Sequence, residues 1–295
     1  MRGLAFCPAH ITGFFKADVD RLEPEKMGSL GAGFSIKDGV TSRVNIEFSD
    51  ENKFEIKTNG YETDNTDVSE FVIKEFQKIS DKKFYCNVVH DISIPIGYGL
   101  GCSGAVALSL AYALNQALGT NLNKEEIGKI AHKAEVSCKT GLGDVIGSFY
   151  GGFEIRTKPG APGIGELKKI NADSSVIIAC FSPISTKKFI DEKLEVINGL
   201  GGKMVNKLIQ TSDYNEFQDM SVEFAKYVKV MTPKMDSIIS ELNNIGVKCG
   251  VALFGETIFS LVPKEKEIQV LKILKKYDDN ILIQSQIDNV GARLQ

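Results

Sequence analysis

The densest run of chemically suggestive residues is Pro95-Ile96-Gly97-Tyr98-Gly99-Leu100-Gly101-Cys102-Ser103-Gly104-Ala105, which joins a β-rich segment to an Ala/Leu-rich helical pattern. Glycines at 97, 99, 101 and 104 let successive backbone N–H groups turn inward. The helix start that follows adds unpaired N–H groups and the positive end of its dipole. Together these make a phosphate-sized anion cradle. The same glycines could serve a tight turn beneath a closely packed helix, although four within eight residues exceeds what a turn needs. A second stretch, Gly141-Leu142-Gly143-Asp144, presents a carboxylate on a turn. There it can accept a hydroxyl proton or cap the helix that follows.

Context separates the ways of binding a nucleotide. Gly99-x-Gly101-x-x-Gly104 matches the dinucleotide-binding fingerprint, which should open a βαβ unit and meet an acid at a strand end about 20 residues later. Glu125 and Glu126 stand at that distance, but on a helical pattern. Gly99 through Val106 also fits a protein-kinase glycine loop, yet no Val-Ala-Ile-Lys-like strand, His-Arg-Asp or Asp-Phe-Gly is present. Ala105 rather than Lys follows Gly104, which excludes a P-loop. His10, His90 and His132 lack metal-ligand spacing to one another or to a cysteine, so no zinc site is expected.

Periodicity indicates the elements that must position these residues. Residues 3–8, 40–48 and 53–58 carry strand signals, with Phe54, Ile56 and Thr58 on one face. Over 67–80 the period changes, and Val68, Phe71, Val72, Phe76 and Ile79 form one helical stripe. Residues 84–94 read as a strand, 103–118 and 124–137 as helices, and 151–156 as a strand. Asn123 with Glu126 predicts a capping box for the second of those helices. The Pro/Gly punctuation of Lys158-Pro159-Gly160-Ala161-Pro162-Gly163 marks a domain boundary. Beyond it a buried strand at 176–181 precedes helical patterns to about 245, strands at 248–253 and 257–262, a helix at 264–276 and a strand at 280–285. With extra helices in the first crossover, that is the ferredoxin-like β-α-β-β-α-β order. The fold class is therefore α+β, in two domains.

With 295 residues, the chain can bury a sizeable core without disulfides or a structural metal. Lys+Arg is 35 and Asp+Glu 38, for a net charge of −3, which argues against nucleic acid or an acidic membrane surface as the main partner. Six cysteines without a Cys-x-x-Cys pair, and an N-terminal apolar run cut short by Pro8, predict reduced thiols in a cytoplasmic protein. No window approaches the ~18 apolar residues of a membrane span.

The Pro-x-x-x-Gly-Leu-Gly-Cys-Ser-Gly-Ala stretch resembles the second motif of the GHMP small-molecule kinases. Cys7-Pro8-Ala9-His10-Ile11-Thr12-Gly13-Phe14-Phe15 looks like the first motif of that family, and Cys249 through Phe259 like the third. The motifs occur in family order over essentially the whole chain. Two departures stand out: His10 occupies a position where many members carry Lys, and Cys102 one where the motif carries Ser. Within the family, His10 to Phe15, Gly28 to Gly33, Thr140 to Val145 and Gly151 to Gly160 together are most similar to the archaeal pantoate kinases.

The resemblance implies an N-terminal ATP-binding domain over 1–160 and a ferredoxin-like domain over 161–295. It also implies ATP- and Mg2+-dependent phosphorylation of (R)-pantoate to (R)-4-phosphopantoate in archaeal coenzyme A biosynthesis. Other acceptors (homoserine, mevalonate or shikimate) and a non-catalytic metabolite-binding regulator remain alternatives. Nucleotide contacts are expected from Gly97, Gly99, Leu100, Gly101, Cys102, Ser103 and Gly104, magnesium ligation from Ser103 and Glu135, and catalysis from Asp144. Ser103 as a plain helix cap, Glu135 on a solvated helix face and Asp144 as a helix cap are the simpler structural readings. His10 and Thr12, taken as lying on a turn, and Arg156 are expected to contact substrate; for His10 a surface turn position and for Arg156 a surface ion pair compete. Expected partners are pantoate and ATP, with a homodimer and neither nucleic acid nor membrane.

Overall fold

Strand β1 (Arg2–Asp18) pairs antiparallel with β2 (Gly28–Phe48) along almost its whole length. Both strands run far beyond the segments at 3–8 and 40–48 that period-two alternation predicts. Their middles are buried on both faces, and a strand covered on both sides loses the alternation that reveals one. The computed structural model describes residues 1–170, 172–184, 186–277 and 279–295, with backbone alone over 186–192.

Strand β3 (Lys53–Gly60), helix α1 (Asp67–Ile79) and strand β4 (Phe84–Ile92) form a parallel βαβ unit, and β4 then lies against the second half of β2. Helices α2 (Cys102–Leu118), α3 (Lys124–Cys138) and α4 (Asp144–Tyr150) follow. The predicted capping box forms: Asn123 Oδ1 accepts from the Glu126 N–H at 3.0 Å, and Glu126 Oε2 from the Asn123 N–H at 2.8 Å. Strand β5 (Phe153–Lys158) pairs with the first half of β2, and β6 (Glu166–Ile170) pairs with β5.

The second sheet is built from β7 (Ser175–Pro183), helices α5 (Thr186–Thr211), α6 (Tyr214–Tyr227) and α7 (Pro233–Asn244), strands β8 (Gly250–Ala252) and β9 (Gly255–Val262), helix α8 (Glu267–Leu274) and strand β10 (Ile281–Gln286). Its strand order β10-β7-β9-β8, antiparallel throughout, is the ferredoxin-like arrangement. A short last strand, β11 (Arg293–Leu294), returns to pair with β1. Among the described residues the first sheet has seven strands and the second four.

The sheets do not divide at residue 160. The Pro/Gly run is the connection of the β5–β6 pair, where the Ile164 and Gly165 N–H groups donate to the Ala161 carbonyl. The chain passes to the second sheet only after Ile170, and comes back at β11. Aromatic packing joins the two parts: Phe14 and Phe15 of β1 meet Phe217 and Phe224 of α6, and Phe34 of β2 meets Phe259 of β9. Helix α2 covers β1 and β2 from the other side. Among the described residues no helix is long and apolar enough to cross a membrane.

Candidate active site

The three motif stretches, distant in sequence, meet at one place. On β1 the His10 N–H donates to the Leu100 carbonyl of the glycine loop at 3.1 Å, while the Thr12 carbonyl accepts from the Leu253 N–H of the C-terminal stretch at 3.2 Å. Register shifts at Pro8/Ala9 and Thr12/Phe14 bracket this part of β1, and such irregularities re-aim side chains near sites. The loop itself touches the third stretch so closely that a Cβ on Gly99 would lie 2.0 Å from the Leu253 carbonyl oxygen.

Gly97, Gly99 and Gly101 all have positive φ, at 86°, 75° and 62°. The direction of their missing side chains adds a second reason for glycine. A Cβ on Gly101 would press on the His10 carbonyl and on Asp144, and one on Gly104 on Asp144 and Glu135. Close packing and backbone turning therefore both act here, and alanine at 101 would crowd the His10 and Asp144 side of the loop. Helix α2 is capped by Gly101, which offers no side chain to its first N–H groups. Cys102 is the half-buried first residue of that helix, with burial and the Glu135 carboxylate pushing its thiol up to about 12. The Leu100 side chain is in the core, so only its backbone can serve a ligand.

Beneath the loop lies a buried charge cluster. His10 Nδ1 is 2.8 Å from Asp144 Oδ1, and its Nε2 is 2.9 Å from Glu154 Oε1. Arg156 Nη1 donates to the same Glu154 oxygen, and Nη2 lies 3.4 Å from Thr12 Oγ1. His10, Glu154 and Arg156 are fully enclosed, whereas the Asp144 side chain keeps 15% of its surface. Burial opposes a charged His10, but the Glu154 and Asp144 carboxylates outweigh it and raise the imidazole to about 9. Two carboxylates thus face two cations.

Glu135, on α3, is buried rather than on a solvated face. Thr140 Oγ1 donates to its Oε1 at 2.5 Å, and its Oε2 is buried without a partner. A Cβ on Gly141 would lie 2.0 Å from that Oε2 and 3.0 Å from Asp144 Oδ2, so the two carboxylates face each other across the Gly141 turn. Burial and the Asp144 charge push Glu135 up to about 7, against the Thr140 and Ser103 hydroxyls, which favour its ionised form. An orphaned buried oxygen, a hydroxyl beside it and a surplus of negative charge fit a hard divalent cation.

The cap readings do not hold. Asp144 is the first residue of α4, whose cap is Gly143 with no side-chain bond, and its carboxylate turns to His10. Ser103 is the second residue of α2, beyond the cap position. His10 and Thr12 lie on a strand rather than a turn, and neither presents more than 7% of its surface. Their side chains contact Asp144 and Arg156 instead of an open surface, so the expected direct substrate contact has no exposed atom to make it. Arg156 is in a buried ion pair, not a surface one, and its Nε–H is unpartnered beneath Gly143, beside Ser29. Glu154, Thr140 and Ser29 were not anticipated. Glu154 had a signal: two residues from Arg156 on a strand, it must share that residue's face.

The GHMP kinases N terminal domain model matches residues 68–152. The pantoate kinase of Methanocaldococcus jannaschii is 36% identical over 272 residues, covering 92% of this chain and 96% of that protein. The pantoate kinase of Thermococcus kodakarensis is 32% identical, covering 92% and 91%. Among solved structures, a phosphotransferase related to the CoA biosynthesis pathway superposes with a TM-score of 0.88 at 28% identity, covering 100% of this chain and 99% of that one. A homoserine kinase from Cytophaga hutchinsonii, at 18% identity, shares the fold with a TM-score of 0.71.

Proposed function

The chain belongs to the pantoate kinase family of GHMP kinases, and from that premise we propose that it phosphorylates (R)-pantoate to (R)-4-phosphopantoate at the Asp144 site, on the way to coenzyme A. As a member of that family it is an ATP-using phosphotransferase with a hydroxyl acceptor. The observation that carries the site reading is the Asp144 carboxylate, the one member of the buried charge cluster with an outward face, set where the glycine loop and α2 begin. Phosphoryl transfer is mostly positioning and charge stabilisation. Asp144 orients the acceptor hydroxyl and takes its proton. The α2 N–H groups from Cys102 to Gly104 receive the phosphates. Arg156 is enclosed and paired with Glu154, so it supports the site through that acid and the Gly143 turn rather than by touching the substrate.

Ser103 and Glu135 are the residues that would hold magnesium, which would supply charge neutralisation for the transferring phosphate. ADP release with pantoate is accordingly expected to require magnesium. Ser103→Ala and Glu135→Gln should each lower turnover by about 10²-fold, the scale of one lost electrostatic contact to developing charge. The melting temperature should hold, or rise for Glu135→Gln, because Gln relieves a buried repulsion with Asp144. Full activity of either variant across a magnesium titration removes that residue from the cation site.

A further inference from the structure

Glu154 is a fully enclosed acid with no direct path to a substrate, and such a group is costly to bury unless its partners require it. Its Oε1 accepts from both His10 Nε2 and Arg156 Nη1. A carboxylate only accepts, so Glu154 at Nε2 and Asp144 at Nδ1 together demand a proton on each ring nitrogen. A neutral imidazole has one N–H and can serve one carboxylate, leaving the other unheld. The charged groups facing His10 are Asp144 from α4 and Glu154 and Arg156 from β5; its neighbours on β2 and in the glycine loop are Gly33 and Gly101. Glu154 is the largest influence holding the ring cationic, against burial.

We infer that Glu154 is a positioning residue for phosphoryl transfer: by accepting from Nε2–H it anchors the doubly protonated His10 ring so that Nδ1–H is aimed at Asp144 Oδ1, which leaves Oδ2, the oxygen facing Glu135, for the acceptor hydroxyl. The inference rests on the reading of Asp144 as the base. Arg156, bound to the same Glu154 oxygen, fixes the acid in turn.

Two measurements on the full chain test it. In the wild-type protein with 15N-labelled histidine, both His10 ring nitrogens should be protonated at neutral pH and begin to lose a proton only near pH 9. A bare ring nitrogen at neutral pH overturns the inference, and this needs no variant to fold. Glu154→Gln should lower kcat by about 10²-fold, the scale of a misplaced reacting group, with KM for ATP unchanged. In an Asp144→Asn background the same change should lower turnover no further, since both act on one step. An equal additional fall in that background, or kcat within about twofold of wild type in the single variant, contradicts the inference. Normal turnover of Asp144→Asn alone instead refutes the reading of Asp144, so the two failures are distinguishable.

Discussion

Asp144→Asn should lower turnover by about 10²–10⁴-fold, the usual contribution of a positioned proton acceptor. Asn is the appropriate replacement because it keeps the size of a side chain that Gly101, Gly104 and Gly141 approach closely. It keeps an oxygen to accept from His10 Nδ1, which lies 2.8 Å from Oδ1 in the wild type. What it loses is the ability to take a proton. ATP affinity should change little, because the α2 start and glycine loop are untouched. The melting temperature should change little, since α4 loses no cap and the weaker hold on His10 is offset by relief of the repulsion with Glu135. Turnover, ATP affinity and melting temperature measured on one preparation distinguish chemistry from folding. Near-normal turnover would remove Asp144 from catalysis.

Arg156→Ala is expected to give the largest loss of stability, about 3–5 kcal/mol, the cost of removing one partner from a buried ion pair. Arg156 is among the largest fully buried side chains and Glu154 is equally enclosed. Without Arg156, Glu154 Oε1 keeps only the His10 Nε2 contact, and its Oε2 is already without a partner. The vacated volume adds a cavity between Gly31 and Gly143, both of which approach the guanidinium closely. Denaturant unfolding reads the effect directly. Adding Glu154→Gln should restore part of the loss, because it removes the stranded charge. A single-variant loss below about 1 kcal/mol, the range of a surface pair, would mean that the charges do not depend on one another.

Much of the architecture was legible where a single period dominates. The α1 stripe, the Ala/Leu helix after the glycine loop, the capping box at Asn123 and the ferredoxin-like order of the second sheet all follow from local pattern. The long pair β1–β2 was not, because packing against helices on one side and aromatic residues on the other erases alternation, and because glycines at 28, 31 and 33 weaken the strand pattern. That error placed His10 and Thr12 on a turn. The site suffered from the same cause: Ser103, Glu135 and Asp144 could be assembled from motif order, but enclosure is a three-dimensional property. Glu154 shows only its spacing from Arg156 in the sequence, since the pairing of β5 with β2 is what carries it under β1 beside His10. The glycines of the loop were attributed to ligand approach, whereas the structure also requires them where α2 meets Asp144 and Glu135.

Magnesium-dependent ADP release by the full chain should be measured under one set of conditions with (R)-pantoate, homoserine, mevalonate and shikimate. kcat/KM for pantoate should exceed each of the others by at least about 10²-fold, a floor that polar recognition of a substrate readily passes, with the phosphate on the 4-hydroxyl. A higher kcat/KM for another acceptor, or tight ATP binding with no acceptor-dependent ADP release at all, would contradict pantoate as the acceptor.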